Sequence, residues 1–220
     1  MTSLQSLFER AHALMRKSSG GENIAEAAEL MGRAAKDGHP AAANNLGAML
    51  QHGLGVPLDL VAARENYGLA ADAGLPQGLF NLGFMWLNGL GGEKDATKAR
   101  RLFEKAANGN DTDALSHLGQ MAMTGLGGVQ DFGAARAYWR RGADLGDDRC
   151  AFNLGVANAG GHGAPPDFIE AYAFFALADQ LGNAGAKGEL NKLASVMTDE
   201  ELSAARSRSL TFDSIVDPTG

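Results

Sequence analysis

The chain carries one cysteine in 220 residues, Cys150. No disulfide can close within it, which suits a reducing compartment. Long apolar runs are missing too. No window approaches the ~20 apolar residues that a membrane span needs, so no membrane insertion is expected. The first residues, MTSLQSLFERAHALMRKSS, are interrupted at Glu9 and Arg10 and do not read as a secretory leader. These absences predict a cytoplasmic protein, or a periplasmic one where a leader has been removed. Positive charge is in short supply: 19 basic against 26 acidic residues give a net charge of -7. Such a chain does not attract phosphate backbones as a whole, which argues against nucleic acid as a partner. The basic clusters, Lys98, Arg100, Arg101 and Lys105 and then Arg136, Arg140 and Arg141, lie at helical spacing beside Glu104 and Asp144. They read as solvated outer faces. β-Branched runs are few, and Ala and Leu dominate the apolar residues, which favours helix over sheet.

Clusters that carry chemistry are also lacking. The histidines are His12, His39, His52, His117 and His162, and none pairs with another at i+3 or i+4. No helical metal site is encoded locally, and no cofactor is expected. The Gly-x-Gly loops lack the G-x-x-x-x-G-K-[ST] spacing of a phosphate loop and read as turns. No serine stands on a strand-to-helix elbow. Cys150 starts a helix beside Arg149, and both features favour a thiolate; the competing reading is a buried, inert thiol.

What the chain does have is a repeat. Leu46-Gly47 returns at Leu82-Gly83, Leu118-Gly119 and Leu154-Gly155, each 36 residues on. Met31, Tyr67, Phe103, Trp139 and Phe175 form a large apolar column in the same register. Ala27, Ala63, Ala99, Ala135 and Ala171 form a small one, and Asp59, Asp95, Asp131 and Asp167 an acidic one. A fixed period of this size predicts an all-α stacked solenoid of helix-turn-helix units. In the unit 39–74, Pro40 opens helix A, which runs to about Gln51 and stops at Gly53. Asp59 caps helix B, which runs from about Leu60 to Ala73 and ends at Gly74. At that last position one unit carries Asn110, the non-glycine residue that best tolerates positive φ. A glycine inside helix A costs about 0.5–1 kcal/mol against alanine. Its return four times predicts a close approach of helix B at Gly47 and its equivalents.

The spacing divides residues 1–210 into a degenerate first unit (3–38), four full units (39–74, 75–110, 111–146, 147–182) and a C-terminal cap (183–210). Thr198 to Glu201 forms a capping box opening the last helix. Residues 211–220 read as a loose tail. Ten to eleven helices are expected.

The unit A-x-x-x-N-L-G-x-M, then G-x-G-V, then D, then A-x-x-x-Y-x-x-A-A-x-x-G resembles the Sel-1-like repeat, a relative of the tetratricopeptide repeat. Asn45-Leu46-Gly47-Ala48-Met49 and Asn81-Leu82-Gly83-Phe84-Met85 match closely, and His117-Leu118-Gly119-Gln120-Met121 departs at one position. The resemblance covers about residues 22 to 195. It implies an α/α superhelix with capped ends that binds proteins or peptides, of the kind met in bacterial adaptors. Cysteine-rich members that act on β-lactams carry a Cys pair in each repeat; this chain does not match them.

In a tetratricopeptide-like stack the A helices line the concave face. Asn44, Phe80, Ser116 and Phe152 stand three before the helix-A glycine, and Ala48, Phe84, Gln120 and Val156 one after it. These point outward or toward neighbouring A helices. The expected function is a non-enzymatic adaptor or regulator holding a peptide or helix of a partner protein in this groove. Phe80, Phe84, Leu87, Met123 and Phe152 would be apolar anchors. Asn44, Gln51, His52, Asn88, Gln120 and Thr124 would form a polar ring. For Phe80 and Phe152 the competing reading is packing between A helices. A second functional reading is a small hydrolase of β-lactam or cell-wall type with Ser116 as nucleophile. A third is a homo-oligomer formed through the apolar patch or the C-terminal helix.

Overall fold

Four aspartates set the start of the B helices. In the computed structural model, Asp59 accepts hydrogen bonds from the amides of Val61 and Ala62, each at 3.0 Å. Asp95 accepts from Lys98, Asp131 from Ala134 and Asp167 from Glu170, all at 2.9 Å. Each satisfies amides that have no partner inside the helix. The helices they open are α4 (Leu60–Asp72), α6 (Ala96–Asn108), α8 (Phe132–Asp144) and α10 (Phe168–Gln180). The A helices are α3 (Pro40–His52), α5 (Pro76–Asn88), α7 (Thr112–Thr124) and α9 (Asp148–Ala159). Pro stands at the first helical position of α3 and α5.

The structure describes residues 3–17, 21–212 and 215. Among them there are twelve α-helices and no strand. That exceeds the expected ten to eleven; the degenerate first pair and both helices of the cap are all present. These are α1 (Leu4–Lys17), α2 (Gly21–Lys36), α11 (Ala186–Ala194) and α12 (Asp199–Ser209).

The chain divides into two compact units, Met1–Asp111 and Thr112–Gly220. In the first, α1 to α6 each pack on the next in order. In the second, α7 to α10 do the same, and α11 and α12 both pack on α10. The large apolar column is the core of both: Met31, Tyr67 and Phe103 are buried in the first unit, Trp139 and Phe175 in the second.

The helix-A glycines lie under these aromatics. A Cβ on Gly47 would stand 2.8 Å from the Tyr67 ring, and one on Gly83 the same distance from Phe103. On Gly119 it would lie 2.5 Å from Trp139 Cε2, and on Gly155 2.6 Å from Phe175. The close approach of helix B is thus made by the ring of the same unit.

The loop glycines do more than turn the chain. Gly55 has φ +70° and Gly91 φ +69°. A Cβ on Gly55 would meet the backbone of α2, 2.5 Å from the Ile24 carbonyl carbon. One on Gly91 would meet the first turn of α4, at the Leu60 carbonyl group, 2.7 Å from its carbon. In both of these loops the second glycine seats the loop on helix B of the preceding repeat. Asn110 has φ +61° and is the one non-glycine residue with positive φ among the described residues.

The capping box forms: Thr198 Oγ1 accepts from the Glu201 amide at 3.3 Å, and Glu201 Oε2 accepts from the Thr198 amide at 2.9 Å. The loose tail expected from Thr211 is tied down at its start. Leu210–Phe212 is a 3-10 turn, and Phe212 is buried with its ring 5.1 Å from that of Phe174. The polar composition of the segment hid this anchor, because one aromatic suffices to dock it. The rest of the expected tail, residue 215 apart, lies outside the described residues.

Candidate partner-binding site

In the unit 112–220, α7 and α9 leave a groove between them. A pocket of about 340 Å³ is lined by Gln120 and Met123 of α7, Asn153, Val156 and Ala157 of α9, Trp139 and Phe132 of α8, and the loop residues Gln130 and His162. A second hollow of about 190 Å³ is lined by Ser116, His117, Gln120 and Asn153. Gln120 and Asn153 line both, so the two hollows adjoin. The apolar end is made by Met123, by Val156 (41% exposed) and by the Trp139 edge. Trp139 is held in place by its indole N–H, which donates to the Ser116 carbonyl at 3.2 Å. Gln130 Nε2 donates to the Met123 carbonyl at 2.8 Å and closes the loop over the pocket. The Phe132 and His162 rings stack with centroids 6.0 Å apart.

The structure thus brings together two of the residues singled out from the sequence, Gln120 and Met123. Thr124 is exposed next to them, its hydroxyl donating to the Gln120 carbonyl at 2.9 Å. Phe152 faces inward, its ring 5.3 Å from Phe175, and belongs to the packing of α9 on α10. Asn153, Gln130, Phe132 and His162 were not among the expected site residues. Asn153 belongs to a repeated column, and periodicity reports which positions recur, not which side chains remain unpaired.

In the unit 1–111 the remaining candidates divide by burial. Asn44 is buried; its Oδ1 accepts from Asn81 Nδ2 at 2.8 Å, so it joins α3 to α5. Gln51 Oε1 accepts from the Tyr67 hydroxyl at 2.8 Å. Burial pushes that phenol up to about 12, so it remains a donor at neutral pH. Phe80 is half-buried, with its ring 5.5 Å from Phe103 and 6.4 Å from Phe84. Phe84 and Leu87 are half-buried, and His52 and Asn88 are exposed. Asn88 Nδ2 donates to the Phe84 carbonyl at 2.9 Å.

Of the two readings of Cys150, the structure supports the buried, inert thiol. The side chain is buried, with its sulfur against Gly142. The Arg149 guanidinium is held by Asp147 at 2.8 Å and Asp113 at 2.6 Å, and its charge is outweighed at the thiol. Burial, and then the Asp147 charge, push the thiol far above its ordinary range. Alkylation of native protein by iodoacetamide is therefore expected to proceed only as fast as this region unfolds, and to complete in denaturant. Labelling of native protein at the rate of a free thiol would contradict this burial. His117 Nδ1 lies 3.0 Å from the Asp113 carbonyl. His39 caps α3, its Nδ1 accepting from the Ala42 amide at 3.2 Å. His12 Nε2 lies 3.1 Å from Asn45 Nδ2. No group of three metal-ligating residues converges among the described residues. No helix among them is long and apolar enough to cross a membrane.

Comparison with known proteins places these features in one family. Residues 18–39, 40–75, 76–111, 112–147 and 148–183 each match the Sel1 repeat. The chain is similar to a Sel1 repeat protein from Oxalobacter formigenes, with 26% identity, a TM-score of 0.80, and coverage of 96% of this chain and 88% of that one. It is also similar in fold to immunity protein Pa5087 from Pseudomonas aeruginosa (19% identity, TM-score 0.57, 98% and 83% covered). A Sel1 repeat protein from Klebsiella pneumoniae shares 20% identity at a TM-score of 0.56, with 88% and 94% covered. No curated protein matches the chain. The five matched segments, in register with the glycine, aromatic and aspartate columns, show that the chain belongs to the Sel1 repeat family.

Proposed function

We propose that this chain is a non-enzymatic protein-interaction module, an adaptor or regulator that holds a segment of a partner protein against its A helices. Sel1 repeat proteins are generally modules of protein interaction. The observation that carries the reading is the groove between α7 and α9, where an apolar pocket and an amide-lined hollow share Gln120 and Asn153. Mixed grooves of this kind bury an apolar anchor and fix its orientation with a few polar groups. On the unit 1–111, Phe84, Leu87, His52 and Asn88 form a further candidate contact surface. The lone buried thiol supports a cytoplasmic setting, and the likeness to the Oxalobacter formigenes protein supports a bacterial one.

Val156→Lys places a charge on the exposed rim of the pocket without touching the core. A protein captured from source-cell lysate by the wild type is expected to be lost by Val156→Lys at unchanged melting temperature. Phe84→Ala tests the other surface in the same experiment. Retention of the same protein by the wild type and both variants would reject the A-helix contact.

A further inference from the structure

Charge in the last helix is sorted by sign. The acids Asp199, Glu200 and Glu201 lie in the first turn of α12, and the bases Arg206 and Arg208 in its last. We propose that the outer face of α12 is a contact between two copies of this chain, paired antiparallel about a two-fold axis. The inner face is already fixed. Ala205 is fully buried, and the Phe212 ring lies against Phe174. Arg208 grips the Glu170 carboxylate of α10, with Nη2 3.2 Å from Oε2. The helix therefore turns Asp199, Ser203, Arg206 and Leu210 away from α10, a stripe at steps of four, three and four residues. All four are exposed, Leu210 by 65%. A hollow of about 560 Å³ follows this stripe, lined by α12 and Leu210 alone. Neither Asp199 nor Arg206 forms an ion pair among the described residues.

The order of the charges names the occupant. A second α12 laid antiparallel sets the acidic first turn against the basic last turn twice, and opposes the two helix dipoles. With the axis between Leu202 and Ser203, Asp199 of each copy meets Arg206 of the other. The same axis brings Leu210 level with the turn that precedes α12, where Val196 is 68% exposed. One symmetry operation thus matches the charges in the middle and the apolar residues at the ends, as an isologous interface requires. Ser203 beside the axis is small and lets the helices approach. A parallel copy would instead set Asp199 against Asp199 and Arg206 against Arg206. The helix has eleven residues and spans about 16 Å. Contacts of that size belong to weak, transient pairs, so a dissociation constant on the order of micromolar is expected. The face shares no residue with the α7–α9 groove, and the two readings stand or fall separately.

The test is sedimentation equilibrium of the full chain over a dilution series, for wild type, Arg206→Glu, Asp199→Lys and an equal mixture of the two variants. Circular dichroism checks that each variant is folded. Wild type is expected to move from 22.9 kDa toward twice that mass as concentration rises. Each variant alone opposes like charges at both contacts, and should self-associate at least about tenfold more weakly. In the mixture both contacts pair opposite charges again, Asp199 with Arg206 and Glu with Lys. Association there should return to within about threefold of wild type. A wild type that stays at 22.9 kDa at every concentration overturns the proposal. So does self-association of the single variants equal to that of wild type, which would run through another face. A mixture that associates no better than its components overturns the antiparallel pairing.

Discussion

Gly91→Ala is expected to destabilise the chain by about 3 kcal/mol. Gly91 has φ +69°, which costs a non-glycine residue roughly 1–2 kcal/mol. The added Cβ would also meet the Leu60 carbonyl group, 2.7 Å from its carbon and 3.1 Å from the Val61 amide nitrogen. These atoms belong to the capped first turn of α4, where Asp59 already bonds the Val61 and Ala62 amides. Backbone held in this way does not move aside as a surface side chain does, so overpacking adds on the order of 1–3 kcal/mol. Gly74→Ala separates the two contributions. Gly74 has φ +78° and nothing within 4 Å of its Cβ position, so its loss is expected to be only about 1 kcal/mol. Urea unfolding followed by circular dichroism measures both. Equal losses would show that the loop does not rest on α4.

Gly119→Ala is the second large effect, and its sign opposes helix propensity. Alanine in a helix interior gains up to about 1 kcal/mol over glycine. Here the Cβ would lie 2.5 Å from Trp139 Cε2 and closer still to the pyrrole edge of the indole. Trp139 is buried, so the ring cannot swing out, and shifting it breaks the indole hydrogen bond to the Ser116 carbonyl. An orphaned buried donor costs about 1–3 kcal/mol and overpacking a similar amount. A net loss of about 2–3 kcal/mol is expected, with a red shift of Trp139 emission. Gly68→Ala, also in a helix interior but with nothing within 4 Å, is expected to gain about 0.5–1 kcal/mol. If Gly119→Ala stabilises as Gly68→Ala does, the ring does not need the glycine.

These two glycines also mark how far the sequence can be read. Gly119 was legible because a helix breaker repeated at 36-residue steps inside an apolar stripe needs a packing reason. The aromatic column in the same register supplied its partner. Gly91 was legible only as a turn residue, because its contact with Leu60 crosses from one unit to the preceding one. The aspartate column named its own function, since a cap acts on amides two and three residues away. Asn44 and Gln51 were read as groove-facing, yet their amides are taken up by Asn81 and Tyr67. Helical period tells which face a residue is on, not whether a neighbouring helix has already claimed its hydrogen bonds. The same limit hid Asn153, which lines the groove beside Gln120. For Cys150 the sequence left two readings: position at a helix start favours a thiolate, but burial against Gly142 and the nearby Asp147 charge outweigh it.

The central claim is that the α7–α9 face touches a partner protein. The direct measurement is photo-crosslinking in the source cell with a benzophenone amino acid placed at Val156 on the groove rim. The control position is Ala137, exposed on α8 and outside the groove lining. One discrete protein adduct from position 156, absent from position 137, is the result this account predicts. The same adducts from both positions, or an adduct from 137 alone, would contradict it.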